Sequence, residues 1–178
     1  MNVPHLGTTL LKAAGPLAMI GVVIFILHRR KLPLAENLGW RRPPPGQTIL
    51  WLLLYAAVIL GSNYFMNWRG PWDFTEWRQA PLLVDILRVL AVGILGPIAE
   101  EITFRGFLFT RFARTRLGFS GAIALTAIVW GVIHYTYSPG VIALLIFDGL
   151  LLGMARLKTN SVITPILMHV MWNLYAVW

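Results

Sequence analysis

The sequence predicts an all-α protein, a polytopic membrane bundle of about six transmembrane helices. Hydrophobic residues make up 57% of the 178-residue chain, and the mean hydropathy is +0.69. Charged residues make up only 12%, about half of the roughly 25% carried by a soluble domain. The apolar residues also fall into six runs, near 10–27, 49–66, 82–99, 119–135, 141–155 and 160–177. Several are a little shorter than the ~20 residues of a straight span.

The first run is followed by HRRK (28–31), not preceded by basic residues, and no small-residue cleavage site follows it. It reads as an uncleaved anchor, not a secretory signal. RRPPPG (41–46) is a stiff, extended connector into the second run, because consecutive prolines cannot continue a helix. The loop NWRGPWDFTEWRQAP (67–81) carries Trp68, Trp72 and Trp77, an interfacial aromatic cluster. The third run is expected to continue as helix past Pro97 towards residue 114. A turn near Leu117–Gly118 then leads into the fourth. No internal repeat or low-complexity tract is present.

Lys and Arg set the orientation. Of 15 such residues, 11 lie between runs one and two, three and four, or five and six. By the positive-inside rule that side is cytoplasmic, so both termini face outward. The net charge of +8 is divided among these loops and forms no single basic run. The expected partner is therefore the lipid bilayer and no nucleic acid. The chain has no cysteine, which excludes a disulfide framework, a thiolate nucleophile and a Cys-ligated metal. Residues 1–80 are expected to hold two N-terminal helices around a basic cytoplasmic loop, and 81–178 the other four.

Nine polar residues fall at membrane depth: Asp85, Arg88, Glu100, Glu101, Arg105, His134, Asp148, His169 and Asn173. A charge at the centre of a membrane helix costs about 2.5–3.5 kcal/mol, and a Leu or Ile returns only about 0.3–0.6 kcal/mol. Each is therefore a functional candidate. Glu101 and Arg105 are four residues apart, share a helical face and can pair, which makes them structural support. Glu100 points about 100° away from Glu101 and has Phe104, not a cation, four residues on. An intramembrane carboxylate left this way needs a partner on another helix, or is a general base or acid. Glu100 precedes Leu117 by 17 residues and His134 follows it by 17. Two helical arms would bring them to one level, a pairing suited to activating water. His134 by itself also reads as a hydrogen-bonded core residue. His169 and Asn173, again four apart, offer two donors: an oxyanion hole, or interhelical glue.

A base, a water partner and two donors on three helices suit hydrolysis of an acyl bond by activated water. The chain has no HExxH for a zinc peptidase. Asp85 and Asp148 as an aspartyl pair would want GxGD, and here the order is Asp148-Gly149. A proton-relaying transporter would want an inverted repeat, which is not evident. Gly149 and Gly153 form a small-xxx-small packing face.

These residues resemble the CPBP intramembrane proteases, also called the CAAX prenyl protease and bacteriocin-processing or Abi family. EEITFR (100–105) matches its EExxxR motif, and WGVIH (130–134) resembles its second motif, with Trp130 where the family usually has Phe. IFDGLLLGMARLKTNSVITPILMHVMWN resembles the third and fourth motifs and ends in HxxxN at His169 and Asn173. The resemblance covers about residues 82–177. It implies an intramembrane protease whose Glu100 and His134 activate water, whose His169 and Asn173 stabilise the oxyanion, and whose Glu101 and Arg105 support the site. It makes residues 81–178 a CPBP-like catalytic core of four membrane helices. Four ligand-like residues could hold zinc, but a metal-free glutamate mechanism with no cofactor is the expectation. The Trp130 departure is expected to leave the chemistry unchanged. The implied partner is a membrane-associated protein or peptide: a prenylated CAAX tail, a bacteriocin leader or a C-terminal membrane anchor. The setting is a multi-pass protein of a prokaryotic plasma membrane. The alternative is a non-catalytic membrane immunity or scaffold protein that binds a membrane partner.

Overall fold

The computed structural model describes residues 3–66 and 75–177, and these contain helices and no strand. They are α1 (Leu6–Arg29), the short α2 (Leu34–Leu38), α3 (Pro45–Met66), a 3₁₀ turn (Thr75–Gln79), α4 (Leu82–Ala113), α5 (Gly118–Val132), α6 (Pro139–Thr159) and α7 (Ile163–Val177). The six apolar runs correspond to α1, α3, α4, α5, α6 and α7, so the chain is the polytopic helical bundle its composition predicts. Four of them, α1, α3, α4 and α6, are long and apolar enough to cross a membrane. Helices α5 and α7 have 15 residues each, about 22 Å at 1.5 Å per residue, against a hydrocarbon core of about 30 Å.

Helix α4 runs through Pro97 to Ala113, as expected, by widening. Proline has no N–H to give its own helix. The turn before it, Leu90–Leu95, is π-helical, and the Gly96 N–H reaches back five residues to the Ala91 carbonyl. A second π turn spans Ile102–Leu108. Such turns relieve a break in the i→i−4 ladder and recur at functional sites. Gly118 closes the turn into α5 at a φ of 59°, the left-handed region that favours glycine.

Helices α5 and α6 pack at close range because small residues face each other. A Cβ on Gly149 would lie 2.9 Å from Ala127, and one on Gly153 would lie 3.0 Å from Ile123. Half of the most apolar window of α6 is buried, against 11% for α1 and 17% for α3. Thus α6 is central, and α1 and α3 turn most of their surface outward. The main core joins Tyr55 of α3, Phe104 of α4, Trp130 of α5, Leu145 and Leu152 of α6, and Met168 and Trp172 of α7.

One end of the bundle is tied by its connectors. The Val162 N–H donates to the Gly39 carbonyl at 2.9 Å, and Ser161 Oγ donates to the Arg41 carbonyl at 2.6 Å. Arg111 and Arg114 both reach Asn37 Oδ1, at 3.3 and 3.4 Å. At the other end Trp77 is buried, with the Arg88 guanidinium 5.3 Å above its ring. Trp68 and Trp72 of the expected aromatic cluster lie outside the described residues.

Candidate active site

Helix α4 presents its two adjacent carboxylates to different surroundings. Glu101 and Arg105 are both fully buried and pair at 2.8 Å from Glu101 Oε1 to Arg105 Nη1. The same guanidinium donates through Nη2 to the Gly149 carbonyl on α6 at 3.1 Å. Glu101 Oε1 also accepts from His169 Nδ1 on α7 at 2.9 Å. One buried ion pair therefore connects α4, α6 and α7. Removing one member of such a pair strands a charge, so its geometry is strongly held.

Glu100 is half-buried. Its Oε2 accepts a hydrogen bond of 2.6 Å from Trp130 Nε1 on α5. His134 is half-buried too, but it lies past the end of α5 in the turn 133–137, not on the helix. Its Nδ1 is 2.7 Å from the Trp130 carbonyl. A carbonyl oxygen only accepts, so Nδ1 is the donor and a neutral ring carries its lone pair on Nε2. Glu100 and His134 line one cavity. They meet there through the side chain and carbonyl of Trp130.

His169 is buried on α7, with Nδ1 committed to the Glu101 carboxylate. Its Nε2 therefore carries a hydrogen only in the imidazolium form, for which Glu101 is the counter-charge. Asn173, one turn on, gives one Nδ2 hydrogen to the Val92 carbonyl at 2.9 Å, within the first π turn of α4. Its second hydrogen remains for a ligand.

Glu100, His134, His169 and Asn173 all line one cavity of about 100 Å³, together with Asp148 and Tyr55. That volume admits a few water molecules. Asp148 is buried, and among the described residues neither of its carboxylate oxygens has a hydrogen-bond partner. Asp85 lines a different groove, beside Trp77 and Leu174, so the two aspartates do not share a cavity as an aspartyl pair would. Among the described residues, no three His, Asp or Glu side chains are grouped as a metal would require.

Three contributors escape the sequence reading. Tyr55 comes from α3, outside the stretch that carries the motifs. The His169–Glu101 bond is a long-range contact that no spacing reveals. Trp130 is the third: its indole N–H bonds Glu100 directly, a contact that phenylalanine has no donor to make. The expectation that this departure leaves the chemistry unchanged takes no account of this bond.

The profile described as type II CAAX prenyl endopeptidase Rce1-like matches residues 81–175. A Bacillus subtilis (strain 168) protein named "Putative membrane peptidase YdiL" is 25% identical over 171 residues, covering 88% of this chain and 66% of that protein. An Escherichia coli "Uncharacterized 24.3 kDa protein" is 32% identical over 164 residues, covering 87% of this chain and 73% of that protein. The chain thus spans about two thirds of the length of the Bacillus relative. No solved structure matches. Fold and matches together define the class, a helical membrane protein of a peptidase family. The chain belongs to the type II CAAX prenyl endopeptidase Rce1-like family.

Proposed function

We propose that this chain is an intramembrane endopeptidase of the metal-free glutamate type, hydrolysing a peptide bond near the membrane with activated water. The observation that carries the reading is the meeting of Glu100, His134, His169 and Asn173, from two helices and a turn, around one small cavity. Glu100 takes a proton from the water, and His134 Nε2 orients that water. The water oxygen attacks the peptide carbonyl carbon. The resulting oxyanion accepts hydrogen bonds from His169 Nε2–H and the second Asn173 N–H. The C–N bond then breaks as Glu100 hands the proton to the leaving nitrogen, which leaves the carboxylate free for the next cycle. No covalent intermediate forms.

In this reading residues 81–178 carry the catalytic core. Residues 1–80 add one wall through Tyr55. The end of the bundle that carries Arg29, Arg30, Lys31, Arg41 and Arg42 faces the cytoplasm of a prokaryotic cell, with both termini outside. The partner is a membrane-associated protein or peptide: a prenylated CAAX tail, a bacteriocin leader or a C-terminal anchor. The test is to express wild type and Glu100→Ala at matched levels in the native membrane and map protein termini by mass spectrometry. New termini that appear only with wild type are the expected result, and their sequences choose among the three. Identical termini, with the mutant folded and a cellular phenotype still complemented, favour the immunity or scaffold role instead.

A further inference from the structure

We infer that Trp130 is a positioning residue for the proposed base: its indole N–H clamps Glu100 Oε2 and leaves Oε1 as the oxygen that meets the water. The inference rests on the reading of Glu100 just given. The clamp is a single short bond, 2.6 Å from Nε1 to Oε2, and no other hydrogen bond reaches Glu100 among the described residues. A charge-assisted bond of this length strongly restrains the oxygen that accepts it.

The clamp is itself rigid. Trp130 is buried, and the Arg105 guanidinium lies 4.8 Å above its ring. The rings of His134 and His169 meet the indole edge-on, each at 5.3 Å between centroids. Arg105 is in turn fixed by Glu101 and the Gly149 carbonyl. The buried ion pair therefore reaches the reactive carboxylate through one indole ring. The Trp130 carbonyl holds His134 by Nδ1, so a single residue sets both members of the water-activating pair. Its side chain aims Glu100, and its backbone selects the His134 nitrogen that faces the water. Positioning of this kind acts on the chemical step more than on substrate capture.

The test uses the full chain in lipid nanodiscs with ¹⁵N-labelled tryptophan, and cleavage assays in membranes. The signal absent from Trp130→Phe identifies the Trp130 indole among the eight tryptophans. It is expected downfield of an ordinary indole and should move upfield in Glu100→Ala while the remaining indoles hold position. In the cleavage assay Trp130→Phe should lower kcat by about tenfold with KM little changed, the loss expected for one bond to a charged group. If Trp130→Phe fails to accumulate, 3-benzothienylalanine at position 130 removes the N–H alone and takes its place. An indole signal indifferent to Glu100→Ala overturns the clamp, as does a wild-type kcat in Trp130→Phe beside a silent Glu100→Ala. Full cleavage by Glu100→Ala, or no new termini with wild type, overturns the base assignment itself and is distinguishable from either result.

Discussion

Glu100 and Glu101 are neighbours in sequence and opposites in structure. Glu101 is wholly buried and shares one oxygen between Arg105 and His169. Glu100 is half-buried, holds one hydrogen bond and lines the cavity. The 100° step of a helix is enough to separate a carboxylate that joins three helices from one that can exchange a proton. A carboxylate cannot serve both roles: full pairing stabilises its charge and removes it from water, while a base must remain reachable.

The largest effect should come from breaking the buried side. Arg105→Ala removes the guanidinium from Glu101 and the tie to the Gly149 carbonyl. Loss of one partner from a buried pair costs about 3–5 kcal/mol. Folded protein recovered in detergent should fall sharply, and a melting temperature near wild type would refute the structural role. Next in size is the cavity side. Asn173→Ala removes one proposed oxyanion donor, which should lower kcat by about 10²–10³. Its melting temperature should drop only slightly, because a single bond to Val92 is lost. A kcat within a factor of two of wild type would remove Asn173 from the oxyanion hole.

Smaller effects sharpen the boundary between the two regions. Gly149→Ala puts a Cβ 2.9 Å from Ala127 and 3.0 Å from Arg105 Nη2. Overpacking of that kind costs about 1–3 kcal/mol. Thermal unfolding should show it, and an unchanged midpoint would mean that α5 and α6 separate at little cost. The smallest shift should be stabilising. Asp148 is buried with no hydrogen bond to either oxygen among the described residues, and an unsatisfied polar group costs about 1–3 kcal/mol. Asp148→Leu should raise the melting temperature, and a fall would reveal a favourable interaction of the carboxylate.

The sequence exposes the scaffold more fully than the site. Six apolar runs mark six helices because lipid forces hydrophobic stretches, and Gly118 marks the turn because its φ of 59° favours glycine. The i,i+4 spacing identifies the Glu101–Arg105 pair, since that relation is local. His134 is harder to place. Nothing in WGVIHYTYS announces that α5 ends at Val132, so a residue assigned to a helix sits in a turn. Trp130 is read as an aromatic residue in the usual place of Phe, and its N–H becomes visible only when α4 and α5 are brought together. Tyr55 goes unnoticed because one hydroxyl among WLLLYAAVIL looks like packing. What the sequence withholds in each case is a contact between helices distant in the chain.

The most direct test substitutes the two neighbours separately. Glu100→Ala and Glu101→Ala would be expressed in the same membrane, and folded protein and newly formed protein termini would be quantified for each. Glu100→Ala should accumulate as wild type does and yield no new termini, while Glu101→Ala should lose most of its folded protein. Cleavage by a folded Glu100→Ala protein, or a Glu101→Ala protein as abundant as wild type, would contradict this division of roles.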